Sequence, residues 1–144
     1  MQPVVKQLDL SAEFYTEEGC FIIEVSNSAD DPGLSVARAR VPAGRTTRWH
    51  RLRGTVERYV ILEGAGLMEV EGMPGARVLP GDVVLIPPGA SQRITSTGSS
   101  DLVFLALCTP RFEPEIYEDT DEGRQGTVRR PVEGSPAGGP AGGG

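Results

Sequence analysis

Short apolar runs, recurring about every eight to twelve residues and closed by glycine or proline, most restrict the folds open to this chain. Residues 20–25 (Cys-Phe-Ile-Ile-Glu-Val) are β-branched and aromatic, as strands prefer. The pattern returns at 34–41, 45–52, 58–62, 67–71, 76–79, 83–86, 91–95 and 102–107, the last being the longest apolar run. Loop and turn chemistry separates the runs: residues 27–33, Pro42-Ala43-Gly44, Arg53-Gly54, residues 72–75, Pro80-Gly81-Asp82 and Pro87-Pro88-Gly89. Glu63-Gly64-Ala65-Gly66 is expected to join 58–62 and 67–71 as a hairpin. Nineteen glycines and twelve prolines in 144 residues favour turns over long helices. The sequence predicts one all-β domain, a sandwich, jelly roll or barrel.

Both ends fall outside that pattern. Residues 1–19 form a polar arm in which Leu8, Leu10, Phe14 and Tyr15 are the candidate anchors, onto the domain or onto a neighbouring copy. The domain is expected over 20–118. Residues 119–144 turn acidic and then rich in glycine and proline, with little to bury, and read as a disordered tail. A net charge of -6 and a pI near 4.8 argue against a nucleic-acid partner, which needs clustered Lys and Arg on one surface. The first residues lack the apolar centre of a signal peptide, and no apolar run approaches the ~20 residues of a membrane span, so a cytoplasmic protein is expected. In that compartment Cys20 and Cys108, far apart in sequence, are read as reduced thiols, and Cys108 as a small buried hydrophobe.

The chemistry concentrates between Gly44 and Gly64. This stretch holds the single histidine, His50, with Glu57 seven residues on. Strand alternation over 45–52 puts Thr46, Arg48, His50 and Leu52 on one face and Thr47, Trp49 and Arg51 on the other; Glu57, Tyr59 and Ile61 share a face in the next strand. Arg45, Arg48, Arg51, Arg53 and Arg58 are split between faces, which suits a polar site or a solvated surface better than a phosphate-binding stripe. Bland readings stand beside the functional ones: a satisfied structural histidine, a Glu57–Arg48 ion pair, a Gln92 bonded to backbone, and glycines that only make turns.

Set against known families, the chain resembles a cupin. Gly44, His50, Glu57 and Gly64 stand at the spacing of the first cupin motif, and Gly81, Pro87 and Gly89 at that of the second, covering residues 44–96. The resemblance implies a jelly-roll, double-stranded β-helix barrel, commonly dimeric, that holds a metal ion. It also exposes departures: Leu52 replaces the second histidine, Gln92 the third, and Ser96 the asparagine. Leucine cannot coordinate, whereas glutamine offers an amide oxygen.

The ligand set carried over is thus His50, Glu57 and Gln92, for a divalent Fe, Mn, Zn, Ni or Cu. Glu57 and Tyr59 are the candidate catalytic residues, and Arg48, Tyr59 and Leu52 the candidate substrate contacts, with Arg48 orienting an anionic group. The implied function is a small dioxygenase-, isomerase- or lyase-type enzyme acting on a small, anionic organic molecule in the barrel. Two other classes fit the same residues: a metal-free binding module or acid/base isomerase, and a non-enzymatic homodimer using outward Trp49 and the aromatic N-terminal segment.

Overall fold

Two sheets face each other in the computed structural model, which describes residues 1–121. One sheet contains β1 (Phe14–Tyr15), β2 (Phe21–Ser26), β3 (Ser35–Val41), β5 (Val56–Glu63), β8 (Val83–Ile86) and β10 (Leu102–Thr109), in the order β1-β2-β3-β10-β5-β8. The other contains β4 (His50–Leu52), β6 (Gly66–Val70), β7 (Ala76–Val78), β9 (Gln92–Ser96) and β11 (Tyr117–Asp119), in the order β11-β4-β9-β6-β7. All pairings are antiparallel. From β3 onward, apart from the β6–β7 pair, each strand crosses to the opposite sheet from the one before it. That wrapping is a jelly roll, a double-stranded β-helix.

The run at 102–107 becomes β10, a central strand flanked by β3 and β5, so its apolar residues are covered on both sides. Period-two alternation then fills the interior. Ala37, Ala39 and Val41 of β3, Tyr59 and Ile61 of β5, Met68 and Val70 of β6, Val84 and Ile86 of β8, and Phe104 and Ala106 of β10 meet in one core. Their partners in alternation face outward, among them Arg38 and Arg40 on β3, which pair with Glu13 and Asp101.

Two expectations about the strands change. Strands 58–62 and 67–71 are not a hairpin: β5 bonds β10 and β8, while β6 bonds β7 and β9 in the other sheet. Gly64 and Gly66 instead make a corner so close to the neighbouring backbone that a Cβ would stand 2.5 Å from the Asp101 carbonyl oxygen at Gly64 and 2.9 Å from that of Thr95 at Gly66. The strand expected at 45–52 is regular only over His50–Leu52, with a single bridge between Thr46 and Thr95. Thr47 N–H donates to Ile94 and Arg48 N–H to Glu18, bonds that bend the segment, break the alternation and bury Thr47 with His50 while Arg48 turns away. At the N-terminus, Leu8, Leu10, Phe14 and Tyr15 are exposed on this chain rather than packed into its own core, and Phe14 and Tyr15 extend the sheet as β1. At the C-terminus the chain returns to the barrel as β11 on β4, so regular structure runs to Asp119; the rest of the tail expected over 119–144, beyond Asp121, lies outside the described residues.

Gly44 and Gly64, the two ends of the first motif, share a φ of +83° but differ in surroundings: nothing lies within 4 Å of a Cβ at Gly44. Gly44→Ala is expected to cost only the strain of a left-handed backbone, about 1 kcal/mol. Gly64→Ala adds a backbone collision and should cost about 2 kcal/mol or more in urea denaturation. Equal losses would mean that the corner relaxes freely.

Candidate functional site

Polar side chains interrupt the apolar core where β5 faces β4 and β9. On β5, Glu57 and Tyr59 point inward; on β9, Gln92 does, directly paired across the ladder with His50 of β4. All four are essentially inaccessible, between 0% and 1% exposed, so each polar atom must find a partner inside the protein. Tyr59 Oη donates to Gln92 Oε1 at 2.9 Å, and Gln92 Nε2 donates to Glu57 Oε1 at 2.6 Å. The Cys108 thiol lies 3.9 Å from Glu57 Oε2. Burial pushes the Glu57 carboxyl well above the usual carboxylate range, the nearby Glu18 adds to it, and the bonds from Gln92 and Cys108 only partly offset this. Burial likewise raises the Tyr59 phenol, which keeps its proton and so can donate to Gln92.

His50 belongs to a second group. Its Nδ1 stands 2.9 Å from the Arg48 carbonyl oxygen, an atom that can only accept, so the neutral ring carries its hydrogen on Nδ1 and leaves a lone pair on Nε2. Nε2 lies 3.8 Å from Glu18 Oε2, and the Tyr117 ring stacks on the imidazole with centroids 5.2 Å apart and planes 19° apart. Glu18 enters from a tight turn before β2: Gly19 N–H donates to Thr16 O, Thr16 Oγ1 donates to Cys20 O, and Gly19 takes a φ of +102°. Three buried atoms of this group, Glu18 Oε1, His50 Nε2 and Tyr117 Oη, have no hydrogen-bond partner. Burial raises the Glu18 pKa, and the nearby imidazole opposes the rise.

No family model matches the chain. It is 32% identical to an uncharacterized protein of Methanocaldococcus jannaschii over 123 residues, which cover 84% of this chain and 95% of that one. A shorter match, 37% over 71 residues, covers 49% of this chain and 58% of the oxalate-binding protein of Thermotoga maritima. Among solved structures, the Cnp3 cupin domain of Schizosaccharomyces pombe superposes with a TM-score of 0.60 at 14% identity, over 72% of this chain and 73% of that one. This protein has the cupin fold.

Of the candidate site residues, Glu57, Gln92 and Tyr59 form one bonded chain in the barrel, and His50 stands opposite Gln92 across the ladder. Leu52 sits at its margin, in an apolar cluster with Cys108 and Phe112 against which Ile116 and Tyr117 pack. Arg48 is elsewhere: its guanidinium Nε pairs with Asp119 at 2.7 Å and an Nη donates to the Asp121 carbonyl, so the inward cation expected to orient an anionic substrate is missing from the cluster. Trp49 is half-buried beneath the Arg93 guanidinium, 4.6 Å from the ring centroid.

The divalent ion implied by the motifs does not fit the donors of this cupin as they are arranged. Glu57 Oε1 is occupied by Gln92 Nε2 and Gln92 Oε1 by Tyr59, while Leu52 supplies nothing. Among the described residues, no three His, Cys, Asp or Glu side chains stand together as a metal site. His50 Nε2 and Glu18 remain as two unpartnered donors, against the three protein ligands of catalytic zinc.

Glu18 and Tyr117 are the residues that sequence reasoning missed. For Glu18 the signal was parity: Glu18, Cys20 and Ile22 alternate inward, continuing β2 back through the Gly19 turn. Tyr117 stood as the one aromatic in an acidic segment, and only the pairing of β11 with β4 reveals that it covers His50.

The raised carboxyls make a definite pH signature. Glu57 and Glu18 bind their protons more tightly in the folded chain than in the unfolded one, which releases them near the ordinary value of 4.5, so stability falls as pH rises from there until the folded-state values are passed. Each carboxyl contributes a slope of up to about 1.4 kcal/mol per pH unit. Glu13 and Asp101, lowered by Arg40, act in the opposite sense and below that window. Glu57→Gln keeps an acceptor for Gln92 and cannot ionise; urea denaturation across pH 5–9 should show a flatter decline than in the parent. An unaltered slope would mean that Glu57 is already ionised in the fold.

Proposed function

We propose that this cupin binds a small organic molecule inside its barrel and exchanges a proton with it through His50, as an isomerase- or lyase-type enzyme that works without a resident divalent ion. The observation that carries the reading is His50 Nε2: wholly buried, unpartnered, and held as a lone-pair acceptor because Nδ1–H is committed to the Arg48 carbonyl. Such a nitrogen is a general base needing only a ligand proton within about 3 Å. When the ring accepts that proton, the Glu18 carboxyl at 3.8 Å stabilises the imidazolium.

Glu57, Gln92 and Tyr59 have a different part. Their chain of bonds fixes the floor on which a ligand would rest, and Tyr59 Oη presents a hydroxyl to that floor. Leu52 supplies apolar margin. The match to the oxalate-binding protein supports a small-molecule ligand in general terms. The exposed apolar side chains of the arm, Val4, Val5, Leu8, Leu10, Phe14 and Tyr15, support a homodimer interface as part of the same proposal.

Elemental analysis of the full chain, purified without chelator or metal-affinity tag, tests the metal-free step. The expected result is no divalent metal at stoichiometric level and an unfolding midpoint that Mn²⁺, Zn²⁺ or Ni²⁺ does not raise. A stoichiometric ion that disappears in His50→Ala would replace the proton-exchange reading with a metal-dependent one.

A further inference from the structure

We propose that Glu18, His50 and Tyr117 form a subsite for a primary ammonium group, so that the ligand of this barrel is an amine rather than an anion. The inference rests on the barrel being a small-molecule site and adds the ligand's chemical class and two residues outside both cupin motifs.

Counting donors and acceptors leads to it. His50 Nε2 offers a lone pair because Nδ1 holds the ring hydrogen. Glu18 Oε1 and Tyr117 Oη are likewise unpartnered, and both can accept. Three acceptors reach the site from three separate parts of the chain: the turn before β2, strand β4 and strand β11. They are neighbours, since Glu18 Oε2 is 3.8 Å from His50 Nε2, the Tyr117 ring lies on the imidazole, and the Glu18 charge bears on the Tyr117 phenol. An alkylammonium carries three N–H donors on one nitrogen, one for each acceptor.

Charge points the same way. Among the described residues, the buried polar and charged side chains include Glu18, Glu57 and His50 and no lysine or arginine. Arg48 is bound to Asp119 and Asp121, Arg40 to Glu13 and Asp101, and Arg93 to Glu69. An anion entering the barrel would lose its hydration beside two carboxyl groups with no buried guanidinium or ammonium to offset the loss. A cation entering it would meet the Glu18 carboxyl and favour its ionised form. The titratable groups that bear on Glu18 are His50, the Cys20 thiol, Asp119, Glu57, Tyr59 and Tyr117, of which none is a competing fixed cation.

The single histidine makes the test direct, since its imidazole proton signal reports on the subsite in the full-length, untagged chain. Ethylammonium, acetamide and acetate, matched in size and differing in charge, are titrated at constant ionic strength while the His50 resonance is followed by NMR. Ethylammonium is expected to shift it saturably, with acetate and acetamide at least about tenfold weaker, as loss of one charge-assisted hydrogen bond implies. Glu18→Gln should weaken ethylammonium by a further factor of about ten or more, and Tyr117→Phe, which removes a different acceptor, gives a second reading if the Glu18 variant does not fold. Stronger binding of acetate, or ethylammonium affinity unaltered in these variants, overturns the ammonium subsite while leaving the barrel as a ligand site. If none of the three probes moves the resonance, the small-molecule reading itself falls, and this inference with it.

Discussion

Placing carboxyl groups between two sheets, out of reach of water, is the constraint that shapes the interior of this barrel. A desolvated carboxylate with no partner costs several kcal/mol, so the surrounding residues must neutralise it, bond it or leave it protonated. For Glu57 the chain uses the second and third means: Gln92 donates to it, Tyr59 donates to Gln92, and burial holds the proton on the acid. This explains why a glutamine suits the position where the cupin pattern has a histidine. An amide presents one donor and one acceptor at once, and here each is used. For Glu18 the solution is incomplete, since one of its oxygens has no protein partner. The two halves of the site thus differ in kind, one closed on itself and one open to something else.

Much of this was legible in residue order. Gly44, Gly64, Gly81 and Pro87 mark corners that have to turn sharply, and the run after Gly54 carries the expected shared face of Glu57, Tyr59 and Ile61 inward. The strand at 83–86 appears with the bounds that its flanking prolines impose. Residues 45–49 were misread because alternation assumes an unbroken strand, whereas bonds from Thr47 to Ile94 and from Arg48 to Glu18 bend this one and reverse its inner face. With it goes the expectation that Arg48 stands inside the barrel to orient a ligand.

The hairpin at Glu63–Gly66 failed for a related reason. Turn residues announce that a chain reverses, but not whether the next strand rejoins its own sheet or crosses to the other one. In a two-sheet wrap this depends on contacts distant in sequence, such as Asp101 and Thr95 against Gly64 and Gly66. Glu18 and Tyr117 were hidden by the same limit: each acts through a partner more than thirty residues away, and only the paired edges of the sheets bring them to His50.

Strand β11 is short, three residues on the edge of the smaller sheet, yet it supplies Tyr117 to the imidazole and Asp119 to Arg48, whose carbonyl orients that same imidazole. The strands before it end with β10 at Thr109, so this last piece is an attachment at the edge of the smaller sheet. Jelly rolls of one architecture can therefore diverge in chemistry without altering a single barrel strand, by exchanging the few residues that the departing chain lays back over the opening. In this protein the working character of the interior is written partly in its trailing edge.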